Sequence, residues 1–116
     1  MRTLALAVLV VVLWTSTAPG QSRGNCAGQL DPLIRRQLTL SGLILNVAER
    51  ETFISVVLFR DAKSGCEFTA VEGLLDDTCK PGRSIAITGV LKRSTLTKGY
   101  EIDRGAEPAD DTLTCR

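Results

Sequence analysis

The sequence predicts an all-β domain, a small five-stranded Greek-key barrel braced by two disulfides. Three observations carry this expectation. Five separate stretches read as strands, the first, fourth and fifth with apolar residues recurring at period two, turn-forming residues divide those stretches, and four cysteines stand in a chain of only 116 residues with an export-type leader.

The leader comes first along the chain. Leu4 to Leu13 is an unbroken apolar run behind Met1-Arg2-Thr3, followed by the small and polar Thr15 to Gly20. That layout is a secretory signal peptide, since a transmembrane helix needs about 20 apolar residues and this run is shorter. Ala18 and Gly20 fit the −3 and −1 positions of a cut before Gln21, and the residues ahead of Cys26 lack the small apolar pattern of a lipidation signal. The expected compartment is secreted or periplasmic, with no membrane attachment after cleavage. Removing residues 1–20 from 116 leaves 96 and discards one charge, Arg2, so 14 basic against 13 acidic residues becomes 13 against 13. A chain of that length makes one domain with a modest core, which covalent braces would help to stabilise.

Cys26, Cys66, Cys79 and Cys115 all lie beyond the leader, where disulfides form. No pair has C-x-x-C spacing and the chain has no histidine, which argues against a zinc site. Four cysteines allow three pairings. The preferred one joins Cys66 to Cys79 across a short local loop and Cys26 to Cys115 across the two ends.

The elements follow in order. Gln21 to Gly28 is a polar entry segment, and Asp31-Pro32 can open a short helical turn with Asp31 as N-cap and Pro32 in the first helical position. Gln37 to Arg50 is the first strand. Its apolar set passes from Leu38 and Leu40 to Leu43, Leu45 and Val47, so the parity changes, and the expected bend or extra residue is at Gly42. Thr52 to Arg60 is apolar on both faces, as in a central, covered strand. Asp61 to Gly65 reads as a hairpin turn, and Cys66 to Val71 as the returning third strand. Glu72 to Ser84 is an irregular connection ending at Pro81-Gly82. Ile85 to Arg93 is the fourth strand, Ser94 to Gly99 a polar loop, and Tyr100 to Asp103 a short fifth strand before an acidic tail. The organisation is therefore a leader over 1–20, an N-terminal segment over 21–36, a barrel over 37–103 and a disulfide-tied tail over 104–116.

Several of these stretches have a familiar cadence: Leu40-Ser41-Gly42-Leu43-Ile44, Val57 to Gly65, Pro81-Gly82 before Ile85 to Val90, and Lys98-Gly99-Tyr100-Glu101-Ile102. Over roughly Leu38 to Asp103 the chain resembles OB-fold domains, both the nucleic-acid-binding kind and the exported bacterial kind. The resemblance implies a closed barrel and a binding role, and one fold of this type hosts many activities. The cysteines lie outside the general OB pattern, and the connection between strands three and four is short for the helix many members carry.

Catalysis is not expected. Histidine, the commonest general base, is absent, and the close acid pairs Glu49/Glu51 and Asp76/Asp77 fall in a turn and a loop where solvated charge is the ordinary reading. No cofactor and no metal is expected, and no Gly-rich phosphate loop occurs. For oligonucleotide binding, Phe53, Phe59 and Phe68 read as core, leaving Tyr100 as the best exposed stacking ring. Lys92, Arg93 and Lys98 flank the loop before the fifth strand, but a mature charge near zero disfavours nucleic acid. Small exported OB-folds also resemble the glycan-binding subunits of bacterial toxins in architecture. The reading is thus a non-enzymatic exported OB-fold module for a protein or glycan partner, with single-stranded nucleic acid as the alternative. Its candidate contacts are Arg60, Lys63, Lys92, Arg93, Lys98 and Tyr100.

Overall fold

The computed structural model describes residues 25–51 and 53–116; the expected leader and its cut before Gln21 lie outside them. The chain opens with a short helix α1 (Cys26–Leu30) and a 3-10 turn (Asp31–Leu33). Strands β1 (Gln37–Glu51), β2 (Ile54–Asp61), β3 (Glu67–Glu72), β4 (Ser84–Arg93) and β5 (Tyr100–Asp103) follow, then a second 3-10 turn (Asp110–Thr112) and β6 (Leu113–Cys115). Asp31 does not cap a helix, contrary to the expectation from sequence. The helix begins five residues earlier, Pro32 lies in the 3-10 turn, and the Asp31 carboxylate is engaged by Tyr100 and Arg93 instead.

The sheet is antiparallel except at one seam. β1 pairs with both β2 and β4, β2 with β3, β4 with β5, and β3 runs parallel to β5 with Phe68 opposite Tyr100. These pairings close five strands into a mixed barrel of the small OB-like type. β6 is an added strand against the start of β4, Ile85 opposite Cys115. A continuous inward row, Ile44, Phe59, Phe68 and Tyr100, crosses four strands in register. The Phe59 and Phe68 rings stack at 5.6 Å, and Val57, Ile87, Leu91 and Ile102 complete a core that excludes water.

β1 is long and irregular, but its parity does not change at Gly42. Leu38, Leu40 and Ile44 keep one inward set, and Leu43 is exposed. The register shifts lie between Ile44 and Asn46 and between Glu49 and Glu51, so the first extra residue is Leu45 and the inward set resumes at Val47. Gly42 instead permits a close approach of backbones. It pairs with Asp61 of β2 and Ile85 of β4 where β1 passes from one neighbour to the other. A Cβ there would lie 1.9 Å from the Arg60 carbonyl oxygen, so only glycine fits. β2 is also less covered than its composition suggests. Val57 and Phe59 are buried, Val56 and Leu58 half-buried, and Ile54 exposed.

All four cysteines are in disulfides, but in another pairing: Cys26–Cys66 and Cys79–Cys115. The expected Cys66–Cys79 bridge does not form. β3 separates Cys66 from the 73–79 loop by about 20 Å of strand, and that loop is held beside the β1–β2 tip and β6 and does not fold back to the start of β3. Cys66 therefore meets α1 at one end of β3, while Cys79 meets β6, which runs beside the start of β4. Each closed loop, 40 and 36 residues in separation, is worth about 4 kcal/mol taken alone in the chain-entropy account.

Candidate binding surface

Topology first decides which loops meet. β3 and β5 run parallel, so the β2–β3 turn with Lys63 and the β4–β5 loop with Lys98 lie at the same edge of the sheet. Arg60, opposite Glu67 in the register, and Arg93, opposite Tyr100, stand beside them. The structure thus gathers most of the candidate residues at one end of the barrel.

That end is occupied with itself. Arg60 pairs with Glu67 across the strands at 3.1 Å, and Arg93 with Asp31 at 2.9 Å. Lys92, on the outer face, reaches Asp103 at 3.2 Å and Glu101 at 3.4 Å. The hydrogen bond to Asp103 holds the Lys92 ammonium above its ordinary pKa. Tyr100 is not the exposed ring expected from its place after the loop: it is 7% exposed. Its hydroxyl donates to the Asp31 carboxylate and the Arg93 guanidinium covers its ring at 5.5 Å. The bond to Asp31, with burial next, raises the phenol's pKa. The loop is closed as well, Ser94 Oγ accepting from the Leu96 and Thr97 amides. Lys63 and Lys98 are exposed, with no ion pair among the described residues.

The other end of β2 and β3 is different. β1 and β2 join in a tight tip where Phe53 takes a left-handed conformation, φ +67°, and is 68% exposed. A bulky residue at positive φ is strained, by roughly 1–2 kcal/mol. Next to the tip runs the 73–79 loop, with Gly73 close enough that a Cβ on it would be 3.6 Å from the Phe53 carbonyl oxygen. Asp76 builds this loop: its Oδ1 accepts from the Thr78 amide and hydroxyl, each at 3.0 Å, and the amide bond foremost lowers its pKa. Leu75 turns inward against the core and Cys79 anchors the loop to β6, which leaves Leu74 outward and 82% exposed.

Between tip and loop lies a cleft of about 710 Å³ with Val47, Phe53, Ile54, Leu74 and Leu75 as its apolar lining. Glu49, Asp76 and Asp77 stand against a single base, Arg50. Glu49 and Asp77 have no ion-pair partner among the described residues. Among the described residues, no group of three or more His, Cys, Asp or Glu could hold a metal ion, and no helix is long and apolar enough to cross a membrane.

Sequence reasoning missed this surface. Period two along β2 counts Phe53 with Val57 and Phe59 as inward, and only the turn conformation before Ile54 throws it outward. The leucine pair at 74–75 was legible, but not which leucine faces solvent. The chain matches no protein-family model and none of the curated proteins with which it was compared.

Proposed function

We propose that this protein is an exported, non-enzymatic binding module that docks a protein partner in the cleft between the β1–β2 tip and the 73–79 loop. The carrying observation is Phe53, a large apolar side chain held exposed at positive φ beside the still more exposed Leu74. Contiguous exposed apolar residues at a strained position are characteristic of contact surfaces, because burial against a partner compensates what the free domain loses. Two closed disulfides support export, since they persist in oxidising compartments. A protein partner is favoured over single-stranded nucleic acid on two counts. Phe59, Phe68 and Tyr100 are buried in the core row, and Lys92 and Arg93 are neutralised by neighbouring acids. Glycan recognition by the basic loop is disfavoured by the same ion pairs.

A photo-crosslinking residue placed at position 74 in one variant and at position 98 in another tests the reading in the native extract. Position 74 should give a discrete protein adduct that disappears with Phe53→Ser, and position 98 should give none. An adduct from position 98 alone would move the site to the basic end and overturn the proposal.

A further inference from the structure

We infer that the segment docking in this cleft is a cationic apolar peptide stretch, a leucine- or aromatic-bearing strand or helix flanked by lysine or arginine. The inference rests on the cleft being the docking surface and adds the chemistry of its occupant. Most of the cleft's exposed surface is polar, and its apolar patch at Phe53, Ile54 and Leu74 takes an aliphatic or aromatic side chain. The rim then selects by charge. Glu49 and Asp77 are exposed and have no ion-pair partner among the described residues, as is also true of Asp76, Glu107, Asp110 and Asp111; what sets Glu49, Asp76 and Asp77 apart is that they line one cleft together against a single base, Arg50. The Oδ1 of Asp76 is held by Thr78, so that carboxylate adds charge to the rim while its geometry is set by the loop.

Charge also argues against the other occupants. A two-fold pair of identical clefts would bring Glu49, Asp76 and Asp77 of one copy toward the same acids of the next, an arrangement that opposes itself. An anionic membrane surface would meet the same repulsion. A cationic segment alone satisfies both the apolar lining and the acid rim.

The experiment uses the mature protein and three fluorescently labelled versions of one leucine-rich peptide, bearing lysines, serines or glutamates between the leucines. Fluorescence anisotropy should show the lysine peptide binding about tenfold more tightly than the serine peptide, exposed ion pairs being individually modest. The glutamate peptide should bind least, and the lysine advantage should shrink as salt is raised. Changing Glu49→Gln and Asp77→Asn together should erase the advantage while the serine peptide still binds, and Leu74→Ser should weaken all three. If the peptides bind equally well and Leu74→Ser still weakens them, the charge inference fails and the docking surface stands. Binding by none of them overturns both. Concentration-dependent self-association in sedimentation, abolished by Leu74→Ser, would replace the peptide by a second copy. Leu74-dependent binding to anionic vesicles without binding of the lysine peptide would replace it by a membrane.

Discussion

The two ends of the β2–β3 hairpin each bring charged side chains and one aromatic ring together, Tyr100 at one and Phe53 at the other, yet they use them in opposite ways. At the turn end, Arg60, Arg93 and Tyr100 are each engaged by a neighbour, and the Cys26–Cys66 bridge fastens α1 over the start of β3. At the tip end, Phe53, Ile54 and Leu74 face outward and the rim acids Glu49 and Asp77 have no ion-pair partner among the described residues. A cluster of charged residues in a sequence therefore says little about binding until its partners are known. The turn end is a clasp, and the tip end is a surface kept open by a strained turn and a disulfide-anchored loop.

The largest expected effect breaks the clasp. Replacing Cys26 and Cys66 together by serine should cost about 4 kcal/mol, read as a lowered denaturant midpoint. Peptide binding at the cleft, on the far side of β3, should survive wherever the variant remains folded. Loss of binding in a folded variant would show that the two ends are one unit.

Asp31→Asn acts on the same end more gently. It keeps an acceptor for the Tyr100 hydroxyl but removes the charge that serves both Tyr100 and Arg93, and should cost about 1 kcal/mol. Tyr100 is the one tyrosine in the sequence, so phenolate absorbance reads it alone. Its pKa, held above the ordinary 10.0, should fall toward that value in the variant. An unchanged titration would mean that the clasp does not form in solution.

At the open end stability and binding should part. Phe53→Asn puts a residue tolerant of positive φ at the tip, and should leave stability unchanged or raise it by up to about 1 kcal/mol while reducing peptide binding. A clear loss of stability would show Phe53 to be a packing residue and remove the main support for the cleft.

The smallest effect is in pH. Tyr100 and Lys92 have raised pKa values in the fold, so what they contribute is complete below their ordinary values and is lost as pH rises through the folded ones. Asp76 has a lowered value, so its contribution is complete above the ordinary aspartate range and is lost as pH falls through the folded value. Melting temperatures should therefore show the turn end weakening on the alkaline side and the 73–79 loop on the acid side. Asp31→Asn should diminish the alkaline loss alone.

Much of the barrel was legible because period two and turn chemistry are local. The five strands, the Asp61–Gly65 turn and a parity change in β1 all follow from residues within a few positions of one another. The place of the parity change was not, since glycine marked a bend by composition while the bulge fell at Leu45, where pairing to β2 slips by one residue. Gly42 answers to a carbonyl of Arg60, 18 positions on, which no window of sequence contains.

By itself, the sequence determined an all-β barrel, four cysteines placed to pair and a chain without histidine. The tertiary structure alone decided the cysteine partners, the burial of Tyr100 and the exposure of Phe53 and Leu74. The physical reason is the same in each case. Strand identity is set by short-range alternation, whereas a disulfide, an ion pair or an exposed face depends on which distant strands the closing barrel brings within a few ångströms.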